Sequence, residues 1–232
     1  MSVGKIRIGR NVYLGTNARL FGNIQIGDGT IIGDNVTIGH PTDKDLKNLR
    51  RVIMHQKEMP IEEIVHGYTR IGKESTIRSG SVIYTDTLIG DRLDCGHNVF
   101  IQWGTKIGNN CKIMENSRIY SEAVVGDNVR FNGFGCARCK IGSNVSMLGY
   151  LVHRYDIPKG GLIEESPHVE DMAVVGMLAI VVGGVTVRKG AYVGAGTVVT
   201  HDVEPFSIVV GERERVIGKR DPTAVAKIFN PA

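Results

Sequence analysis

The sequence predicts an all-β fold, a parallel solenoid of very short strands, and three observations predict it. Aliphatic residues recur every six positions along most of the 232 residues. Glycine directly follows 13 of those 25 positions, and the residue two places before each is never charged. The chain holds 30 glycines but only 6% aromatics, so it needs many tight corners and little bulky filling. The 42% hydrophobic content suffices for a core and excludes wholesale disorder. Glycine keeps no period of three, which excludes collagen.

The first run steps through Ile8, Leu14, Leu20, Ile26, Ile32 and Ile38. A second runs from Ile71 through Ile77, Ile83, Ile89, Cys95, Ile101, Ile107, Ile113, Ile119 and Val125 to Phe131. A two-residue deletion resets the phase to Ile141 and Met147, and a third run joins Val169, Val175, Val181, Val187, Val193 and Val199. Ile, Leu or Val fills 22 of the 25 positions, although these types supply only 62 of the 232 residues. A period of six fits the strand period of two and not the helical 3.6. Each hexad is therefore a short strand with two inward side chains and a bend. Three hexads close a coil, and coils stacked about 4.8 Å apart give roughly eight turns and a prism about 40 Å long.

Two excursions leave the repeat within a β-helix domain expected over 1–220. In 40–67, Thr42 and Asp45 form a capping-box pattern ahead of Leu46, Leu49, Val52 and Ile53, which predicts a short helix ended before Met59-Pro60. Its Lys44, Lys47, Arg50 and Arg51 are either a solvated face or an arm bordering a subunit interface or an anionic ligand. The second excursion is 149–166, a long loop of the kind that carries function in compact folds. Asp221-Pro222 reads as a cap and first turn, so 222–229 is expected to be a helix in the tail 221–232.

The net charge of +4 is mild and suits small anionic ligands; clustered basic residues interleaved with aromatics, as nucleic-acid binding needs, are not seen. Met1 leads at once into charged, patterned sequence, and the longest uncharged run, 172–187, is shorter than the ~20 residues of a membrane span. A cytoplasmic protein without membrane or nucleic-acid partners is expected. Cys136 and Cys139 make a CxxC motif, yet Cys95, Cys111 and Cys139 fall in inward columns and read as core fillers, so neither zinc nor redox chemistry is expected.

This pattern resembles the hexapeptide-repeat acyltransferases, most closely the sugar and nucleotide-sugar acetyltransferases. The resemblance covers about four fifths of the chain and extends to VGAGTVVTHDVEPFSIVVGERERVIGKR at 193–220. Arg213-Glu214 stands where many members have Pro-Ala. It implies a left-handed parallel β-helix, a hand that periodicity alone does not supply because parallel crossovers are otherwise right-handed. It also implies a homotrimer that uses acetyl-CoA as co-substrate, and the cysteine and histidine positions give no reason to expect a metal. The acetyl group would pass to the amino group of a sugar, one linked to a nucleotide; sugar O-acetylation is the near alternative.

Three histidines are candidate bases on this resemblance. His97 lies in a G-H-N-V stretch that sugar acetyltransferases share; His153 stands beside Arg154, where relatives have Asn-Asp; His40-Pro41 is similar to the His-Pro element of galactoside and maltose acetyltransferases, though far earlier in the chain. Asn98, Glu115, Asn116 and Arg154 would orient the acceptor. Gly176, Ala179, Gly183 and Ala195 are small enough for a pantetheine arm, and Arg188, Lys189, Arg213 and Lys219 would meet the cofactor's phosphates. Carbonic anhydrases of this fold hold zinc with histidines about four residues apart, and no His-x4-His occurs here. A metal-dependent enzyme of carbonic anhydrase type and a non-catalytic assembly subunit are the two rivals from other classes.

Overall fold

A computed structural model of the protein describes residues 5–54, 65–156, 161–211 and 215–224, without the side chains of 155–156 and 161–164. The chain winds into three long sheets of nine, eleven and nine strands, which form the faces of a triangular prism. Ile8 pairs with Ile26, Leu14 with Ile32 and Leu20 with Ile38, each 18 residues on and each in parallel, so three hexads make a coil. This is the parallel solenoid of a left-handed β-helix, with about ten turns. The expected eight turns fall short because some rungs carry no hexad signal: Gly135 and Leu151 hold inward places, and Val203 and Val209 add a further rung.

The periodic column is the core. From Ile26 onward its side chains are buried, each contributing about 1.5–3 kcal/mol by leaving water. On the first coil Ile8 and Leu14 stay 46% and 39% exposed, because neighbours cover them from one side only. The uncharged column two residues earlier turns inward at the corners. There Thr30 Oγ1 donates to the Gly72 carbonyl and Ser81 Oγ to that of Gly96, satisfying oxygens that would otherwise be stranded. The two-residue deletion falls between Phe131 and Gly135. The fully buried Phe131 ring occupies the space beside Gly135, where an added Cβ would lie 3.4 Å from its Cζ.

The capping box forms as expected. The Thr42 amide donates to Asp45 Oδ2 at 2.8 Å and the Asp45 amide to Thr42 Oγ1 at 3.2 Å, starting helix α1 (Asp43–Met54). The helix buries none of its residues. Met59-Pro60 lies outside the described residues. The second excursion begins as an ordinary rung, Tyr150–Val152, then becomes an antiparallel pair of Arg154–Asp156 with Gly161–Glu165. At the far end Ser207–Val210 adds in parallel to Tyr192–Val193, and Arg215–Lys219 folds back on it antiparallel. Asp221 Oδ1 accepts the Thr223 amide and opens a helical turn at 222–224; 225–232 lie outside the described residues. No helix among the described residues is long and apolar enough to cross a membrane.

Candidate functional site

The faces are numbered by the strands that open them, Ile6–Ile8, Tyr13–Leu14 and Arg19–Leu20, and each edge by the face it follows. The second edge gathers most of the expected acceptor residues. His97 and Asn98 form its corner on one rung, and Glu115 and Asn116 form it on the next. The Asn116 amide donates to the His97 carbonyl at 2.9 Å and the Asn98 amide to that of Ser79 at 3.1 Å, so the His97 backbone is held on both sides while its ring stays exposed. Asn98 and Asn116 turn the corner with φ of 55° and 60°, a left-handed conformation that asparagine tolerates. Four rungs beyond His97, about 19 Å along the axis, the same edge carries Gly176, and on the following rung Ala195. An added Cβ on Gly176 would lie 2.6 Å from the Ala195 amide nitrogen.

His40 and His153 lie on the third edge instead, five rungs or about 24 Å apart. His40 Nδ1 lies 2.9 Å from the Pro41 carbonyl, and its ring packs on Tyr84 with centroids 4.5 Å apart. His153 Nδ1 is buried and has no hydrogen-bond partner among the described residues. Arg154 is exposed and pairs through its backbone with Glu165 at the base of the excursion. Gly183 faces that base: an added Cβ would meet the Arg154 amide nitrogen at 2.5 Å, so the crossing strands explain this glycine. One chain therefore keeps His97 and His153 on different edges.

The expected cofactor residues scatter. Ala179 is fully buried in the core and presents nothing to a ligand, a correction that follows from its place in the inward-turning small column. Arg188, on the first edge, is committed to Asp202 at 3.0 Å and approaches Glu204 at 3.9 Å, so its charge is already matched. Lys189 is exposed beside it, its amide donating to Glu170 Oε2 at 2.8 Å. Lys219 is exposed on the returning strand, and Arg213 lies outside the described residues. Burial pushes the Cys95 thiol up to about 12 and that of Cys111 to about 11, which leaves both unreactive. Among the described residues no group of three or more His, Cys, Asp or Glu side chains is placed to hold a metal.

One feature of the third face escaped the sequence reading. His40, Tyr84, Phe100, Tyr120 and Phe134 stack along its outside, the aromatic centroids 4.8–5.9 Å apart. His40 stands two after its inward residue Ile38, and the four aromatics then alternate between one after and one before, so a simple period hides them. A shallow groove of about 320 Å³ beside the first edge holds Lys140, His168, Glu170, Asp171 and Lys189. Burial, helped by the Lys140 charge, lowers the His168 pKa there.

Residues 5–40 and 104–134 match the bacterial transferase hexapeptide (six repeats), and residues 168–201 match the hexapeptide repeat of succinyl-transferase. A serine acetyltransferase of Bacillus licheniformis is 41% identical over 80 residues, 34% of this chain and 36% of that protein. The bifunctional protein GlmU of Thermotoga maritima is 35% identical over 78 residues, 33% of this chain and 17% of that protein. The chain thus spans little more than a third of the serine acetyltransferase and about a sixth of GlmU. The solved UDP-N-acetylglucosamine acyltransferase of Arabidopsis aligns with 97% of this chain and 74% of its own, at a TM-score of 0.59 and 16% identity, a likeness of fold. The hexads matched in sequence are rungs of the prism, so the chain carries the hexapeptide repeat of these transferase models and shares the fold of the solved acyltransferase.

Proposed function

We propose that the protein transfers an acetyl group from acetyl-CoA to the amino group of a nucleotide-linked amino sugar, with the reaction centred on the second edge. The observation that carries this reading is collinearity. His97, Asn98, Glu115 and Asn116 share that edge with Gly176 and Ala195, so an extended thioester arm laid along it would end near an imidazole and a carboxylate. His97 takes the proton as the amine attacks the thioester carbonyl, general-base work worth about 10²–10⁴-fold. Glu115 orients the amine, and corner N–H groups stabilise the oxyanion. Lys189 and Lys219 remain available to phosphates. A homotrimer, joined through the aromatic third face, would bring His153 of a neighbouring copy towards this edge.

Purified protein given acetyl-CoA and a panel of amino-sugar nucleotides should release free thiol. Silence across the panel together with no binding of acetyl-CoA by calorimetry would end the proposal. His97→Ala should lower kcat about 10²–10⁴-fold; if His97→Ala and His153→Ala both keep full turnover, neither histidine is the base. The local likeness to serine acetyltransferases favours serine as a second acceptor reading, and adding serine to the panel separates the two.

A further inference from the structure

Cys136 and Cys139 bracket a single corner on the third edge. The Cys139 amide donates to the Cys136 carbonyl at 3.3 Å, which closes a β-turn, and Arg138 within it has φ of 59°. A turn closed this way holds its end Cα atoms within about 7 Å, and a disulfide spans about 4.4–6.8 Å, so the backbone already has the reach of the bond. Both thiols are buried, both are free and they hydrogen-bond each other. Cys95 and Cys111, on the two preceding coils and 16 residues apart, share no such turn, and the acyl-transfer reading uses none of the four.

The pair is also electronically divided. The hydrogen bond from Cys139 holds the Cys136 thiol below the ordinary thiol range against the opposing effect of burial, with Ser166 and the Arg138 charge adding to it. Cys139, which gives that hydrogen bond and is deeply buried, is pushed well above the range. Of the two sulfurs, Cys136 is therefore the better suited to attack first and Cys139 to act second.

We propose that Cys136 and Cys139 form a peroxide-oxidised dithiol that closes reversibly to a disulfide across this corner. The Cys136 thiolate attacks one oxygen of hydrogen peroxide; an S–O bond forms, the O–O bond breaks, and the departing hydroxide takes a proton and leaves as water. The Cys139 sulfur then attacks the Cys136 sulfenic acid, the S–O bond breaks, and the thiol proton leaves with the hydroxyl as a second water. Two thiols and one peroxide become one disulfide and two waters, and a dithiol reductant reverses the outcome. Ser166 Oγ donates to the Ala137 carbonyl at 2.7 Å, inside the same turn, so the corner's redox state reaches the end of the 149–166 excursion.

The whole reduced chain should be treated with hydrogen peroxide, cleared of it, unfolded and alkylated. The expected result is a fall from four alkylatable thiols to two with the loss of two hydrogens. Trypsin cuts after Arg138, between the two cysteines, so their peptides should stay joined until reductant is added. Cys139→Ser should leave a sulfenic acid on Cys136 that dimedone captures, whereas Cys136→Ser should keep its three thiols. Four thiols after peroxide, a linkage through Cys95 or Cys111, or oxidation of Cys136 to sulfinic acid with no linkage would each overturn the proposal. The wild-type experiment needs no variant to fold.

Discussion

Phe131 opposite Gly135 shows how a coil that has lost two residues keeps its core volume. The large ring fills what the missing side chain leaves, and the two positions act as one unit. Phe131→Ala should cost about 3–5 kcal/mol, because the cavity has no neighbour able to collapse into it. Gly135→Ala should cost about 1–3 kcal/mol, since its new methyl presses on Phe131 and on Cys139 Sγ. Chemical denaturation midpoints of the two variants check the order. The inward column was legible in the sequence because aliphatic side chains announce themselves; Gly135 was not, because glycine carries no hydrophobic signal and the phase slips at that point. His97 and Asn98 were legible as a corner, since both follow Cys95 in register. The separation of His97 from His153 was not, because the second excursion breaks the count before His153 can be assigned an edge.

Between neighbouring rungs the corners are tied by a ladder of side chains. Asp91 Oδ1 accepts the Lys73 amide, Asn109 Oδ1 the Asp91 amide and Asp127 Oδ1 the Asn109 amide. Across the second face Asp94 bridges Arg78 on the preceding side and Lys112 on the following one, at 3.2 Å for the lysine. Burial would raise the Asp94 pKa, but hydrogen bonds from Arg78 and Lys112 outweigh it and the net shift is downward. A lowered carboxyl pKa stabilises the fold above its unfolded value near 3.9, and that contribution is lost as pH falls through the lowered value. Asp94→Asn should therefore cost up to about 1 kcal/mol at pH 7, the pair being partly solvated, and the difference should vanish in acid. Helix α1 behaves differently, for it buries nothing. Thr42→Ala should remove about 1 kcal/mol from that helix alone. Hydrogen exchange should accelerate over α1 while the global unfolding midpoint stays in place.

At the scale of the molecule, each coil touches only the coils beside it, so stability is a sum of rungs and stacking. In the proposed homotrimer the aromatic ladder of the third face is the surface offered to other copies. Light scattering should give about three times the 25.3 kDa chain mass, and Tyr120→Glu should return the chain to single copies. A wild-type protein that stays at one chain mass removes the trimer from the proposed function. The periodicity made the prism legible in advance, while the ladder went unread because its members alternate around the column.

The returning strand Arg215–Lys219 has a consequence for how such molecules keep apart. A stack of like-directed strands is an open invitation to further layers, and an exposed rim of amides can seed fibres. Here the outermost layer of one flank points the opposite way, so an arriving copy would find the wrong donors and acceptors for continuing the series.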